Sequence, residues 1–170
     1  LRAIHNLTVV VPADAFETRQ AVMAAAAADR PVFLRFGKKA MPLLPRPDQD
    51  FRLGKASVIR EGSEVAFIAT GETVAPAWEA AQILQQRGIS AAVISMHTIK
   101  PLDAETLCRY AARCKTVIMA EEHSVNGGLG EACAAVLMQQ GIRVRFRITG
   151  IPDEDTITGS QTDMAWKVSP

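Results

Sequence analysis

Three continuous apolar runs constrain this chain more than any other feature: Val65-Ala66-Phe67-Ile68-Ala69, Ala91-Ala92-Val93-Ile94 and Thr116-Val117-Ile118-Met119-Ala120. Runs without polar alternation are the pattern of parallel strands buried on both faces, so helices must cover them on each side. The intervening stretches fit that need. From Thr73 to Arg87, Ala77, Ala81 and Leu84 share one helical face, Pro76 is tolerable in the first turn, and Gly88 closes the C-terminus. A second helix fits Asp103 to Cys114, capped by Asp103 after Pro101, with Leu107, Ala111 and Cys114 at helical spacing. A third runs from about Leu129 to Gln140 and ends at Gly141. In the last strand Val144, Phe146 and Ile148 alternate with Arg143, Arg145 and Arg147, which places it near a sheet edge. The alternation predicts an α/β protein with a three-layer, open and mostly parallel sheet.

An additional strand, helix and strand precede this unit. Thr8-Val9-Val10-Val11 is a β-branched run closed by Pro12, and Asp14 and Glu17 stand as a helix N-cap and its N3 partner. An alanine-rich helix then extends to about Ala28, Arg30-Pro31 stops it, and Val32-Phe33-Leu34 comes next. Gly37 to Gly54 carries Pro42, Pro45 and Pro47 among charged residues, the composition of an extended linker. A domain boundary is therefore expected there, with residues 1–47 on one side and 48–170 on the other. The first segment holds 7 basic and 3 acidic residues, and the remainder holds 12 basic and 15 acidic. The basic surplus lies in the first segment.

At 170 residues the chain has the size of one domain, or of one domain with part of another. Its net charge of +1 and 5% aromatic content give neither the field nor the stacking platforms of a nucleic-acid-binding protein. No stretch reaches the roughly 20 apolar residues that cross a bilayer, so no membrane partner is expected. Cys108, Cys114 and Cys133 are odd in number and show no metal-finger spacing, which favours a reducing cytoplasm. The opening Leu1-Arg2-Ala3-Ile4 has neither a methionine nor a secretory segment, as expected of a sequence that begins inside a longer one.

Few residues carry a chemical signal. Arg35, Lys38 and Lys39, with Arg46 further on, form the single local excess of positive charge and would suit an anionic substrate. The ordinary alternative is solvated surface charge. Gly127-Gly128-Leu129-Gly130 opens a helix at a strand end, where backbone N–H groups can meet an anion. The same glycines could equally serve a tight turn and close packing, and Glu121 and Glu122 beside them disfavour a phosphate. His97 reads as a structural hydrogen-bonding histidine, and no GxSxG context points to a hydrolase.

Two stretches resemble the signature turns of the transketolase C-terminal domain: Met-His-Thr-Ile-Lys-Pro-Leu-Asp at 96–103 and Glu-Glu-His-Ser-Val-Asn-Gly-Gly-Leu-Gly at 121–130. The segments at 2–14 and 31–38 resemble the end of that family's pyrimidine-binding domain, with His5 where proline is usual. The likeness is greatest to forms split into N-terminal and C-terminal sections. It implies a partial α/β pyrimidine-binding domain over 1–47 and a C-terminal domain over 48–170. It also implies that Arg35 contacts the sugar-phosphate substrate. The family's catalytic glutamate and its Gly-Asp-Gly-Xaa-Thr-His stretch would fall before Leu1, and its closing helix beyond Pro170. Thiamine diphosphate and Mg²⁺ would belong to the complete enzyme and not to this chain alone. The partners implied are an N-terminal transketolase section and a second copy in a homodimer. No catalysis is assigned to Glu122 or His123. Related C-terminal domains occur in deoxyxylulose-phosphate synthases and 2-oxoacid dehydrogenase beta chains, and a non-catalytic assembly fragment is the reading from another class.

Overall fold

The computed structural model describes residues 1–37, 40–47 and 50–153. The first segment folds as β1 (Thr8–Val10), α1 (Ala15–Ala26) and β2 (Val32–Leu34), with β1 and β2 parallel. Asp14 caps α1 as its spacing predicts, Oδ1 accepting from Glu17 N–H at 3.0 Å. The Glu17 side chain reaches one residue further back than a reciprocal cap would and accepts from Ala13 N–H at 2.8 Å.

The five-stranded sheet has the order β3-β5-β4-β7-β8, formed by β3 (Ser57–Arg60), β4 (Val65–Ala69), β5 (Ala91–Ser95), β7 (Thr116–Ser124) and β8 (Arg145–Ile151). All pairings in it are parallel except β3 with β5. Helices α2 (Val74–Gln86), α3 (Ala104–Arg113) and α4 (Leu129–Gln139) complete the layers. Alternate residues of the central strands feed two separate cores. Ala66, Ile68, Ala92 and Ile94 pack with Leu107, Tyr110, Leu129 and Cys133 of α3 and α4, whereas Ala69, Ala91 and Val93 pack with Val74, Ala77 and Ala81 of α2. The three-layer arrangement anticipated from the apolar runs is thus present, and β8 is an edge strand as its alternation predicts.

Two strands escape the sequence pattern. β3 forms the other edge, and β6 (Thr98–Lys100) lies where a turn was expected. β6 leaves the main sheet and pairs antiparallel with β1, so the small sheet runs β2-β1-β6. Val11 N–H also donates to His97 O at 2.7 Å. The first segment and the larger unit therefore share a sheet. The described residues of the connector contain no helix or strand, and Ala56 N–H at its end donates to Asp103, the cap of α3. Among the described residues no helix is long and apolar enough to cross a membrane.

Candidate functional site

The C-terminal ends of β2, β4 and β7 converge, which is where open parallel sheets present groups to ligands. Arg35 follows β2 directly, and its N–H donates to Val10 O at 2.9 Å, continuing the ladder. Its side chain crosses to β7, where Nη2 donates to Glu122 O at 2.9 Å and stands 4.0 Å from Glu122 Oε2. The side chain remains 38% exposed. An arginine tied by one backbone carbonyl keeps a fork of further N–H donors for an anion.

Glu122 meets Glu72, whose position no sequence pattern singled out. Glu72 sits in a single 3-10 turn, Gly71–Thr73, at the end of β4. Thr73 Oγ1 donates to Ala120 O at 2.7 Å, and Gly71 N–H to Val11 O at 3.1 Å, which pins the turn to both segments. The Glu72 carboxyl is near enough to Glu122 to act on its charge. Burial, with that carboxyl neighbour, pushes Glu122 up to about 7, and Arg35 pulls it the other way.

The basic cluster expected around Arg35 is corrected at Arg46. Its side chain is only 6% exposed, with Nη1 and Nη2 donating to Asp14 Oδ2 and Oδ1 at 2.9 and 3.0 Å. Nη2 also pairs with Glu17 Oε1 at 3.0 Å. A guanidinium this deep finds its charge partners before solvent does, because burying it unpaired would cost too much. Lys38 and Lys39 lie outside the described residues, as does the C-terminal end at Pro170.

The glycine turn at 127–130 holds an anion, but an internal one. Leu129 and Gly130 N–H donate to the Glu121 carboxylate at 2.7 and 2.9 Å. A Cβ on Gly128 would stand 1.9 Å from Glu121 Oε2, and one on Gly130 would stand 2.5 Å from Ile148. Close packing is thus the role of these glycines. With the helix N-terminus already filled by Glu121, this turn does not fit a cofactor diphosphate. Among the described residues no three His, Cys, Asp or Glu side chains gather as a metal site.

The other candidates resolve structurally. His97 is buried, stacks on Phe51 with centroids 4.2 Å apart, and places Nδ1 3.0 Å from Thr98 Oγ1. Burial, reinforced by the Arg46 charge, lowers its pKa to about 4, so the ring is neutral at ordinary pH. His123 is exposed, with Nδ1 2.7 Å from Ser124 O. Cys108, Cys114 and Cys133 are all free thiols, and burial raises Cys114 and Cys133.

Comparisons with known proteins agree with this architecture. The family profile described as "Transketolase, C-terminal domain" matches residues 54–169. A transketolase family protein of Sinorhizobium fredii is 44% identical over 155 residues, covering 89% of this chain and 45% of its own. One subunit of the apulose-4-phosphate transketolase of Phocaeicola vulgatus is 37% identical over 165 residues, covering 96% of this chain and 52% of its own. The chain therefore spans about half the length of these curated relatives. A split-gene transketolase, solved as an inactive beta4 tetramer, superposes with a TM-score of 0.87 at 38% identity, covering 96% of this chain and 53% of that one. By profile, relatives and architecture together, the chain belongs to the transketolase family and carries its C-terminal domain.

Proposed function

We propose that this chain is one part of a thiamine-diphosphate-dependent transketolase that transfers a two-carbon ketol unit between sugar phosphates. An N-terminal transketolase section supplies the diphosphate and Mg²⁺ site, while the catalytic glutamate belongs to the part of the pyrimidine-binding domain that the resemblance places before Leu1. This chain contributes subunit contacts in a cytoplasmic homodimeric assembly, and Arg35 contacts the substrate phosphate. The 1–47 segment completes part of the pyrimidine-binding domain, and residues 48–170 form the C-terminal domain.

The observation that carries the reading is the setting of Arg35. Its guanidinium is half-exposed where the strand ends of both segments converge, and it is oriented by Glu122 O at 2.9 Å. A phosphate arriving there would meet a fork of N–H donors already aimed by the fold, so little orientational freedom is lost on binding. The relatives add support, since one is a subunit of a sugar-phosphate transketolase and another is a split-gene chain whose beta4 tetramer is inactive.

The test uses the full enzyme assembly, in which the pyrimidine-binding domain is complete, with Arg35→Ala beside the wild type. Two-carbon transfer is expected in that assembly. The variant should raise the KM for phosphorylated sugars, a loss of about 1.5 to 3 kcal/mol for one charged hydrogen-bonding group. Unchanged KM and kcat would overturn the assignment of Arg35, and a full assembly without transfer would overturn the reading as a whole.

A further inference from the structure

Arg35 is held at two points, and one turn of the C-terminal unit stands between them. Its backbone is fixed on the first segment, the N–H donating to Val10 O at 2.9 Å. Its guanidinium is fixed on β7, donating to Glu122 O at 2.9 Å. The turn after β4 reaches the neighbourhood of both anchors. Gly71 N–H donates to Val11 O at 3.1 Å, one residue from the backbone anchor. Thr70 N–H donates to Ala120 O at 3.1 Å, and Thr73 Oγ1 lies 2.7 Å from the same oxygen, two residues from the guanidinium anchor. The stretch from Ala120 to Glu122 has little freedom to swing, because Glu121 is bonded to the N–H groups of Leu129 and Gly130. The turn also presses on the first segment, where a Cβ on Gly71 would stand 2.7 Å from Val11 Cγ1. The contacts close a ring from Arg35 through Val10 and Val11, the turn, Ala120 and Glu122 back to the Arg35 side chain.

We propose that Thr73 is a positioning residue for the substrate phosphate: its hydroxyl sets the spacing between the two anchors of Arg35 and so aims the guanidinium from the C-terminal unit. The inference rests on the reading of Arg35 as the phosphate contact. A guanidinium fork holds an anion well only when its N–H groups point at the oxygens, so a small change in the separation of the anchors turns the fork and weakens the bond. Thr73 is half-buried at the end of the turn, and its Oγ1 has Ala120 O at 2.7 Å and Thr70 O at 2.8 Å. Its hydroxyl therefore joins the turn to β7 through backbone oxygens. Losing it leaves the charge of Arg35 in place, and the effect is smaller than that of removing Arg35 itself.

The test uses the full enzyme assembly, with inorganic phosphate as a competitive inhibitor of transfer from the ketose phosphate. Thr73→Val keeps the shape of the side chain and removes the hydroxyl, Thr73→Ala removes it without the added methyl, and Thr73→Ser keeps it. The Val and Ala variants should raise both the inhibition constant of phosphate and the KM for the ketose phosphate about three- to tenfold, the range for one neutral hydrogen bond, with kcat within about twofold. Thr73→Ser should restore both constants to within about twofold of wild type. A merely structural role would lower the amount of active enzyme, and with it kcat, without moving the inhibition constant. Placed on Arg35→Ala, Thr73→Val should add less than about twofold, because the two residues act through one contact. If the Val and Ala variants leave the inhibition constant unchanged, or Thr73→Val keeps its full effect on the Arg35→Ala background, this inference is overturned alone. If Arg35→Ala by itself changes neither constant, the phosphate reading of Arg35 fails and takes the inference with it.

Discussion

At the scale of single residues, Arg46 fastens the connector to the rest of the molecule. It pairs with both Asp14 and Glu17, lies over the Phe16 ring at 4.9 Å, and the adjacent Leu44 N–H donates to Asp14 Oδ2 at 3.0 Å. Glu17 in turn accepts from Ser95 Oγ at 3.1 Å, so one buried network spans the first segment, the connector and β5. Removing one partner of such a network leaves the others charged and buried. Arg46→Ala should therefore lose about 3 to 5 kcal/mol of folding stability, measured by urea denaturation. A loss below about 1 kcal/mol would mean that the pair is solvated like an ordinary surface ion pair. The capping role of Asp14 was legible from its three-residue distance to Glu17. The burial of Arg46 was not, because its partners lie roughly thirty residues away and a local charge count cannot see them.

At the scale of elements, α4 shows how one carboxylate organises a helix start. Glu121 satisfies the N–H groups of Leu129 and Gly130, while Gly127 N–H donates to Glu131 Oε2 at 2.8 Å within the same turn. Three orphan donors of the helix entry thus find internal acceptors. The approach is so close that a Cβ on Gly128 would overlap the Glu121 carboxylate. Gly128→Ala should displace that carboxylate and cost about 1.5 to 3 kcal/mol, the range for hydrogen bonds to a charged group. Chemical denaturation beside Gly127→Ala checks the cause, since a Cβ at Gly127 meets nothing within 4 Å and that variant bears only the strain of its φ of +77°. Because Gly128 has an ordinary φ of −90°, a Gly128→Ala loss below about 0.5 kcal/mol would mean that the Glu121 carboxylate contributes little to the helix start. The extents of α2, α3 and α4 were readable from apolar spacing and end signals. β3 and β6 were not, because a short strand lacks enough residues to show a period, and its partner decides whether it forms.

At the scale of the whole molecule, the question is whether residues 1–47 melt separately from the C-terminal unit. β1 lies between β2 and β6, so the amides of Val9, Val10 and Val11 are tied into a sheet that both segments build. Native-state hydrogen exchange should then give these amides protection within about tenfold of Val93 and Ile94 in β5. Exchange faster by about a thousandfold or more would show that the first segment opens alone. The layer plan followed from local pattern, since apolar runs of strand length and helical spacing between them leave a chain few ways to bury its surface. Local pattern also carried the family resemblance, through turns whose residues are contiguous. The crossing of β6 to β1, the burial of Arg46 and the approach of Glu72 to Glu122 arise from docking of the elements. The physical reason is range: local pattern dictates which face of an element is apolar, whereas pairing between distant side chains depends on how the elements dock.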